Sequence, residues 1–272
     1  MAPNRVVVGE HGWQSMARHF ESPRSILITG ASSGIGEALA RAYAAPGVTL
    51  ALTGRDRARL AAVAESCRAM GAVVRAEALD VRARERLAAW ITEVDGAAPL
   101  DLAIANAGVS AGTGGGAETA EQARRILDTN VGGVIDTVLP AVELMRPRGH
   151  GQIAIMASLA AFRGFPGAPA YCAGKAAVRV WGEALRGELH EAGIGVSVIC
   201  PGYVKSRMTA ANEFPMPLLM EADRAARIIR RGLARNRPRI AFPWRLYAAV
   251  WLISALPPSL TDPLLRRLPK KT

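Results

Sequence analysis

The stretch SILITGASSGIG, residues 25–36, decides the fold of this chain. A short apolar run leads into a glycine-rich turn, and the segment that follows, GEALARAYAA, has the composition of a helix. Gly30, Gly34 and Gly36 give the turn the spacing GxxxGxG. Glycines between a strand and a helix let the backbone approach a pyrophosphate closely, and the helix N-terminus offers free N–H groups and partial positive charge. The stretch therefore indicates a strand, turn and helix that hold a nucleotide.

Outward from this turn, short apolar runs alternate with helical stretches along the chain. The alternation predicts an α/β fold: a Rossmann-like, doubly wound parallel sheet with helices on both faces. We interpret residues 24–240 as one such domain, between an N-terminal extension (1–23) and an apolar, basic C-terminal tail (241–272). The expected strands lie within 25–29, 48–53, 72–79, 100–105, 151–158 and 195–200, and the main helical stretches are 56–70, 82–95, 119–146, with a break near Gly132 and Gly133, and 169–192.

Composition excludes several classes of protein. The chain has 272 residues, 50% of them hydrophobic, which suits a globular protein with a sizeable core. Its formal net charge of +11 comes mostly from arginines scattered along helices, so we expect no nucleic-acid partner. Cys67, Cys172 and Cys200 lack metal-ligand spacing, so we expect no metal site. An odd number of cysteines and no apolar secretory leader predict a reducing, cytoplasmic compartment.

The end of the second expected strand carries the signal for the type of nucleotide. In dinucleotide folds, an acidic residue at this position binds the ribose 2′-OH, whereas a nearby arginine suits a 2′-phosphate. Here Gly54 takes the acidic position and Arg55 follows, and a guanidinium matches a phosphate group. This favours NADP(H) over NAD(H). Two alternatives stay open: Asp56 binds the ribose if the strand ends later, or Arg55 is only a solvated turn residue.

The stretch YCAGK, residues 171–175, places a phenol and an ammonium group four residues apart. On a helix, Tyr171 and Lys175 then lie on one face. The spacing alone leaves two interpretations open: a solvated surface pair, or a proton donor beside the charge that tunes it.

The order of TGASSGIG, NAG (106–108), Asn130, Ser158, YCAGK and PG (201–202) resembles the short-chain dehydrogenase/reductases over residues 24–210. The resemblance implies NAD(P)(H)-dependent interconversion of a carbonyl compound and an alcohol. It implies the catalytic residues Asn130, Ser158, Tyr171 and Lys175, and homodimers or homotetramers formed through 119–146 and 169–192. The cofactor-binding residues expected from the strand ends and the resemblance are Gly30, Ser32, Ser33, Gly34, Ile35, Gly36, Arg55, Asp80, Val81, Asn106, Ala107, Gly108, Tyr171, Lys175, Pro201, Gly202, Val204 and Ser206.

The implied roles agree with the chemistry of these groups. Reduction of a carbonyl compound needs a proton donor, and a free tyrosine has a pKa near 10. An ammonium at about 4 Å, with an effective dielectric near 20, favours the phenolate by roughly 4 kcal/mol, so we expect a lowered pKa for Tyr171. Ser158 is expected to orient the substrate oxygen. By resemblance, Lys175 also holds the nicotinamide ribose, and Asn130 lies at a helix irregularity that binds water and relays protons. Without the resemblance, a second interpretation stays open, in which Asn130 only caps a helix break beside Gly132 and Gly133.

Three positions depart from the family's usual pattern. Ala105 stands where a second asparagine is common, Gly174 where serine is common, and Ser206 where threonine is common. None of the three changes removes a reacting group, so they leave the implied chemistry in place.

Residues beyond 206 are expected to determine the substrate. The stretch 207–237 includes NEFPMPLLM, which fits either an apolar substrate wall or a packed helix. The tail contains an eleven-residue apolar run, Leu246 to Leu256, too short to span a bilayer alone, with aromatic and basic neighbours. Its expected partner is a membrane surface through 243–268, its own domain, or a second subunit.

Four functions remain in competition at this point, of which a structural protein at a membrane surface is the weakest. The first is an NADP(H)-dependent oxidoreductase that acts on a small, apolar ketone, aldehyde or alcohol. The second is a 3-oxoacyl-thioester reductase. The third is a non-catalytic NADP(H)-binding sensor or scaffold, which retention of both Tyr171 and Lys175 disfavours.

Overall fold

The computed structural model describes Phe20 and residues 22–110, 117–210 and 215–265, except for the side chain of Leu264. Most of the expected N-terminal extension therefore lies outside the described residues. So do the centre of the glycine-rich loop expected at 108–118 and the last, basic part of the tail.

Seven parallel strands form one sheet in the order β3-β2-β1-β4-β5-β6-β7. The order reverses direction between β1 and β4, and open α/β sheets bind ligands at such a point, at the carboxyl ends of the strands. The strands are β1 Ser25–Thr29, β2 Thr49–Gly54, β3 Val73–Ala78, β4 Leu102–Ala105, β5 Gly151–Met156, β6 Ile194–Pro201 and β7 Arg239–Phe242.

Helices cover both faces of the sheet and bury two separate apolar clusters against it. Helices α1, α2 and α8 pack on one face, and α3, α5 and α6 on the other. The predicted doubly wound sheet is therefore confirmed. The helices are α1 Gly34–Tyr43, α2 Arg57–Ala69, α3 Arg84–Ala97, α4 Ala120–Leu127, α5 Gly133–Met145, α6 Pro169–Glu188, α7 Arg207–Ala210, α8 Ala222–Ala234, α9 Trp244–Ala255 and α10 Pro258–Leu265.

The helical stretch expected at 119–146 is interrupted, but by a π-helical turn and not by a break in the helix. A π-helical turn, Asp128–Gly132, joins α4 to α5, so the helix continues with one wider turn. Such turns often mark functional sites, because they redirect side chains without ending the helix.

Strand β7 was not predicted, and it changes where the tail begins. Its four residues, RIAF, pair with the end of β6 and alternate between half-buried and buried positions. The expected boundary at residue 240 falls inside this strand, so Ala241 and Phe242 belong to the sheet.

The tail forms two helices, α9 and α10, which we call the C-terminal helix pair. Arg163, in the loop after β5, attaches the pair to the domain by donating hydrogen bonds to Asp262 at 2.7 Å and Thr261 at 3.2 Å. The ring of Phe162 contacts that of Tyr247 edge-on, with the centroids 5.4 Å apart. The pair therefore packs on its own domain. None of the helices in the described residues is both long enough and apolar enough to cross a bilayer.

Candidate active site

The glycine turn between β1 and α1 leaves no room for side chains at its two ends. A Cβ on Gly30 would lie 2.8 Å from the Cα of Ala107, and Gly30 has a φ of +68°. A Cβ on Gly36 would lie 2.3 Å from the carbonyl oxygen of Gly30. The turn is therefore drawn tightly against the end of β4, and helix α1 begins at Gly34 with its first N–H groups at the cavity described below.

Asn106 and Thr29 fasten this turn. The side-chain amide of Asn106 donates to the carbonyl oxygens of Thr29 at 2.9 Å and Gly30 at 3.2 Å. The hydroxyl of Thr29 accepts from the backbone N–H groups of Asn106 and Ala107, both at 3.1 Å. The NH2 group of Asn106 thus shapes the turn, and the residue also lines the cavity. Sequence reasoning did not single out Thr29, which is an ordinary strand residue by pattern.

Beside the glycine turn, β2 ends at Gly54 and Arg55 is exposed. Asp56 caps α2, because its carboxylate accepts from the backbone N–H of Arg59 at 3.0 Å and pairs with the Arg59 guanidinium at 2.8 Å. The carboxylate of Asp80 forms an ion pair with the guanidinium of Arg82, at 2.7 Å. Hydrogen bonding to Arg82 is the main cause of the lowered pKa of Asp80, and the charge of Arg55 adds to it.

Tyr171 and Lys175 lie one turn apart on α6, facing the end of β5. The Lys175 Nζ lies 5.9 Å from the centre of the Tyr171 ring and donates to the carbonyl oxygen of Met156 at 2.7 Å. Ser158 begins the 3₁₀ turn after β5, and its Oγ accepts from the N–H of Ala160 at 3.1 Å. Gly174, between the pair, would place a Cβ in ordinary contact with Asn130 and Val131.

The expected direction of the Tyr171 pKa was wrong for this structure. Burial raises the pKa of Tyr171, and its hydrogen bond with Ser158 lowers it by less. Burial also lowers the pKa of Lys175 from 10.5 to about 8. Desolvation is the largest cause of the pKa shift of both groups, because each is buried, whereas the sequence-based expectation considered only the attraction between their charges. The phenol is therefore protonated at neutral pH, which is the form that donates a proton.

Asn130 lies in the π-helical turn and is fully buried. Its side chain accepts from the backbone N–H of Val109 and donates to the carbonyl oxygen of Val109, both at 2.8 Å. A Cβ on Gly108 would lie 3.1 Å from the Asn130 Oδ1 and 3.4 Å from the Lys175 Nζ. Asn130 therefore positions the loop after β4 beside Lys175.

The loop after β6 forms one wall of the cavity. The N–H of Gly202 donates to the carbonyl oxygen of Phe242 at 2.7 Å, and Val204 pairs with Met220 in an isolated bridge. The N–H of Ser206 donates to the hydroxyl of Thr209 at 2.9 Å. A Cβ on Gly34 would lie 3.0 Å from the Cβ of Ser206, so this loop contacts the glycine turn.

One cavity of about 620 Å³ runs along the carboxyl edge of the sheet. It brings together every expected catalytic and cofactor residue except Asn130, which lies behind it against Val109. At one end are the glycine turn, Arg55 and Asp80. Ser158, Tyr171 and Lys175 lie further along.

The far end of the cavity is apolar and contains residues that sequence reasoning missed. Phe165, Pro166 and Met208 line it from the domain. The C-terminal helix pair supplies Leu246, Ala249, Val250, Ile253 and Leu265. The apolar run in the tail was visible in the sequence, but only the packing of α9 shows that its inner side forms a cavity wall. Of the stretch NEFPMPLLM, Pro215 and Pro217 line the cavity, and residues 212–214 lie outside the described part of the chain.

Comparison with known proteins gives consistent matches. The sequence model of the short chain dehydrogenase family matches residues 24–215. An uncharacterized oxidoreductase of Myxococcus xanthus is 39% identical over 248 residues, which cover 91% of this chain and 98% of that protein. The ketoacyl reductase HetN of a Nostoc species is 34% identical over 199 residues, 72% of this chain and 69% of that protein.

A solved structure gives the same architecture. The short chain dehydrogenase of Mycobacterium paratuberculosis, bound to NAD, matches with a TM-score of 0.71 and 24% identity. The match covers 80% of this chain and 94% of that one.

Proposed function

This chain belongs to the short-chain dehydrogenase/reductase family, and on that premise we propose that it is an NADP(H)-dependent oxidoreductase that interconverts a ketone or aldehyde and an alcohol. Members of the family bind NAD(P) and act on small molecules. The observation that carries the proposal is the single cavity that joins the glycine turn, the Tyr171–Lys175 pair and an apolar end. A dinucleotide and a carbonyl compound can meet in such a cavity at Tyr171.

The residues present fit the cofactor. The glycine turn packs so tightly against the end of β4 that Gly30 and Gly36 admit no Cβ, which leaves bare backbone at the cavity, and the N-terminus of α1 adds N–H donors for a pyrophosphate. Pro201, Gly202, Val204 and Ser206 line the cavity and would hold the nicotinamide end. When bound, the nicotinamide supplies or accepts the hydride.

Tyr171 is the proposed general acid/base. Its phenol donates a proton to the substrate oxygen during reduction and takes it back during oxidation. Ser158, whose hydroxyl is hydrogen-bonded with Tyr171, orients that oxygen. Lys175 places its positive charge beside the tyrosine, where it stabilises negative charge that develops on the phenol oxygen.

Arg55 supports NADP(H) over NAD(H). Arg55 lines the cavity and is exposed, and its guanidinium has no carboxylate within 4.0 Å among the described residues. Asp56, the alternative ligand for a ribose hydroxyl, is occupied by Arg59 on both carboxylate oxygens. An arginine with an unoccupied guanidinium at this position suits a 2′-phosphate.

The apolar end of the cavity supports an apolar substrate. A 3-oxoacyl thioester is a second candidate, which the name of the Nostoc relative favours. The two are separated by comparing turnover of free apolar ketones with turnover of 3-oxoacyl thioesters of matched chain length.

Exposed apolar residues on α4, α5 and α6 support a homodimer or homotetramer. Leu127, Leu139 and Val180 are 38%, 41% and 54% exposed. These helices lie within the two stretches through which the family resemblance implies association.

Substitution of Tyr171 by phenylalanine tests the proposed function. NADPH oxidation is followed with a panel of apolar ketones and aldehydes. We expect Tyr171→Phe to reduce turnover by about 10²–10⁴-fold, the usual contribution of a general acid/base, while NADPH still binds. Tyr43→Phe is the matched control, because Tyr43 is buried in the core away from the cavity. Turnover that survives in Tyr171→Phe would contradict the assigned role, and a wild-type protein that binds NADPH without turnover on any substrate would favour a sensor or scaffold.

A further inference from the structure

The C-terminal helix pair is apolar on its outer side as well as on its inner side. Its inner side lines the cavity, as described above. On the outer side, Trp244, Trp251, Leu252 and Leu260 are 71%, 53%, 58% and 68% exposed. A helix on the surface of a globular protein usually carries polar residues on its outer side, so this surface is suited to contact with something other than water.

The charge of the C-terminal sequence distinguishes between the surfaces that could cover the pair. Residues 241–272 contain five basic side chains and one acidic side chain, a net charge of +4. Asp262, the acidic one, is paired with Arg163. Arg245 is exposed and lies 5.6 Å from the ring centre of Trp244. The remaining basic residues, Arg266, Arg267, Lys270 and Lys271, follow α10 in the sequence and lie outside the described residues.

We propose that the outer side of the C-terminal helix pair docks on an anionic lipid bilayer, with both helices lying in the interface. Tryptophan rings and arginine side chains are suited to this position, because each combines an apolar body with a polar end. Basic residues near the surface add attraction to anionic lipid. Residues 241–272 of a second copy carry the same net charge of +4, so repulsion between like charges makes a second copy a less favourable partner than an anionic surface.

Docking through these helices would also place the cavity next to the lipid. Ala249 is exposed and lines the cavity, so the wall is one helix thick at this point. Entry of an apolar substrate from the bilayer follows from this arrangement, and that consequence rests on the proposed function. Docking itself does not depend on it.

The experiment measures flotation of the full-length protein with vesicles. Vesicles of phosphatidylcholine alone are compared with vesicles that also contain phosphatidylglycerol. We expect binding to the anionic vesicles, weakened by high salt, and a decrease of about tenfold or more in Trp251→Ser/Leu252→Ser, since two large apolar side chains no longer enter the interface. Neither residue lines the cavity. Met70→Ser/Val73→Ser removes two exposed apolar residues elsewhere and should bind as the wild type does.

Three outcomes would overturn docking through this surface. The wild type fails to float with anionic vesicles at low salt, or the Trp251→Ser/Leu252→Ser variant floats as well as the wild type. In the third, this variant changes the sedimentation of the protein without vesicles, which would identify a second copy as the partner. Thermal unfolding and NADPH binding verify that each variant is folded. Turnover of a water-soluble carbonyl compound without vesicles is measured separately, so loss of the proposed function would not be read as loss of docking.

Discussion

Lys175 is a buried ammonium group, 3% exposed, whose pKa falls from 10.5 to about 8 because burial disfavours its charge. The unfolded chain keeps this proton up to about pH 10.5, whereas the folded protein releases it above about pH 8. Across this window the unfolded state binds more protons, so the free energy of unfolding contributed by this residue rises with pH. Below pH 8 the charge is retained and lowers stability.

The corresponding prediction concerns protein without cofactor. Between about pH 8 and 10.5, the wild type should gain stability relative to Lys175→Met, by on the order of 3 kcal/mol. Denaturant unfolding at several pH values measures the difference. Lys205→Met, which removes an exposed lysine, is the control. Parallel pH profiles for the wild type and Lys175→Met would contradict the burial of a charged amine.

Arg55 carries the prediction about cofactor choice. We expect Arg55→Ala to weaken NADPH binding by about 1.5–3 kcal/mol, the usual range for a hydrogen bond to a charged group, and to leave NADH binding nearly unchanged. Calorimetric titration with each cofactor measures the change in binding free energy for NADPH and for NADH. Arg57→Ala removes an exposed arginine two residues away, which does not line the cavity. Equal losses for NADPH and NADH would exclude a role in recognising the 2′-phosphate.

At the scale of single residues, the sequence predicts which residues form the site better than it predicts their pKa values and contacts. Tyr171 and Lys175 could be chosen from their spacing and from the order of the motifs. The direction of the Tyr171 pKa could not, because the number of water molecules displaced around a phenol depends on the whole fold. The hydrogen bonds between Asn130 and Val109 could not be predicted either, because the two residues are distant in the sequence and meet only in the fold.

At the scale of elements, Arg163 connects the loop after β5 to α10. Its side chain is 22% exposed and pairs with Asp262 at 2.7 Å. We expect Arg163→Ala to loosen the C-terminal helix pair and to raise KM for apolar substrates by about tenfold, with NADPH affinity unchanged, because a partly buried charged hydrogen bond is lost. Hydrogen exchange in 258–265 and steady-state kinetics measure both effects.

The control for this variant is Arg146→Ala, which removes a longer and more exposed ion pair, to Glu188 at 3.9 Å. Unchanged exchange in α10 after Arg163→Ala would show that other contacts, such as that of Phe162 with Tyr247, suffice to hold the pair. A double-mutant cycle with Asp262→Ala isolates the pairwise energy.

Elements with a strong local pattern were predicted, and those defined by packing were not. Strands β1, β2, β4, β5 and β6 follow short runs rich in apolar residues, as buried parallel strands do. Strand β3, VVRAEA, is a largely exposed edge strand, and the rhythm of its neighbours predicts it more than its own composition does. Strand β7 is short, begins with an arginine and is buried on alternate residues, so its pattern is weak. Likewise the apolar run in α9 predicts a contact, but its inner and outer sides are distinguished only by the position of the helix on the domain.

At the scale of the whole molecule, assembly should depend on the exposed apolar residues of α6. We expect Val180→Asp to shift the protein towards a smaller species in analytical ultracentrifugation, because a buried unpaired carboxylate would destabilise an interface. Val73→Asp, at a more exposed valine on the edge strand β3, should leave the mass unchanged. A wild-type monomer, or no shift in Val180→Asp, would rule out an interface through this residue.

The position of the C-terminal helix pair has a consequence for how this protein can diverge. The family match ends at residue 215, and the proposed acid/base group, its lysine and the glycine turn all precede that point. The wall formed by Leu246, Val250, Ile253 and Leu265 follows it. The proposed reacting groups and the part of the apolar wall that the helix pair supplies therefore occupy different stretches of the chain, so substitutions in the last thirty or so residues could alter which molecules are accepted without touching the proposed hydride chemistry.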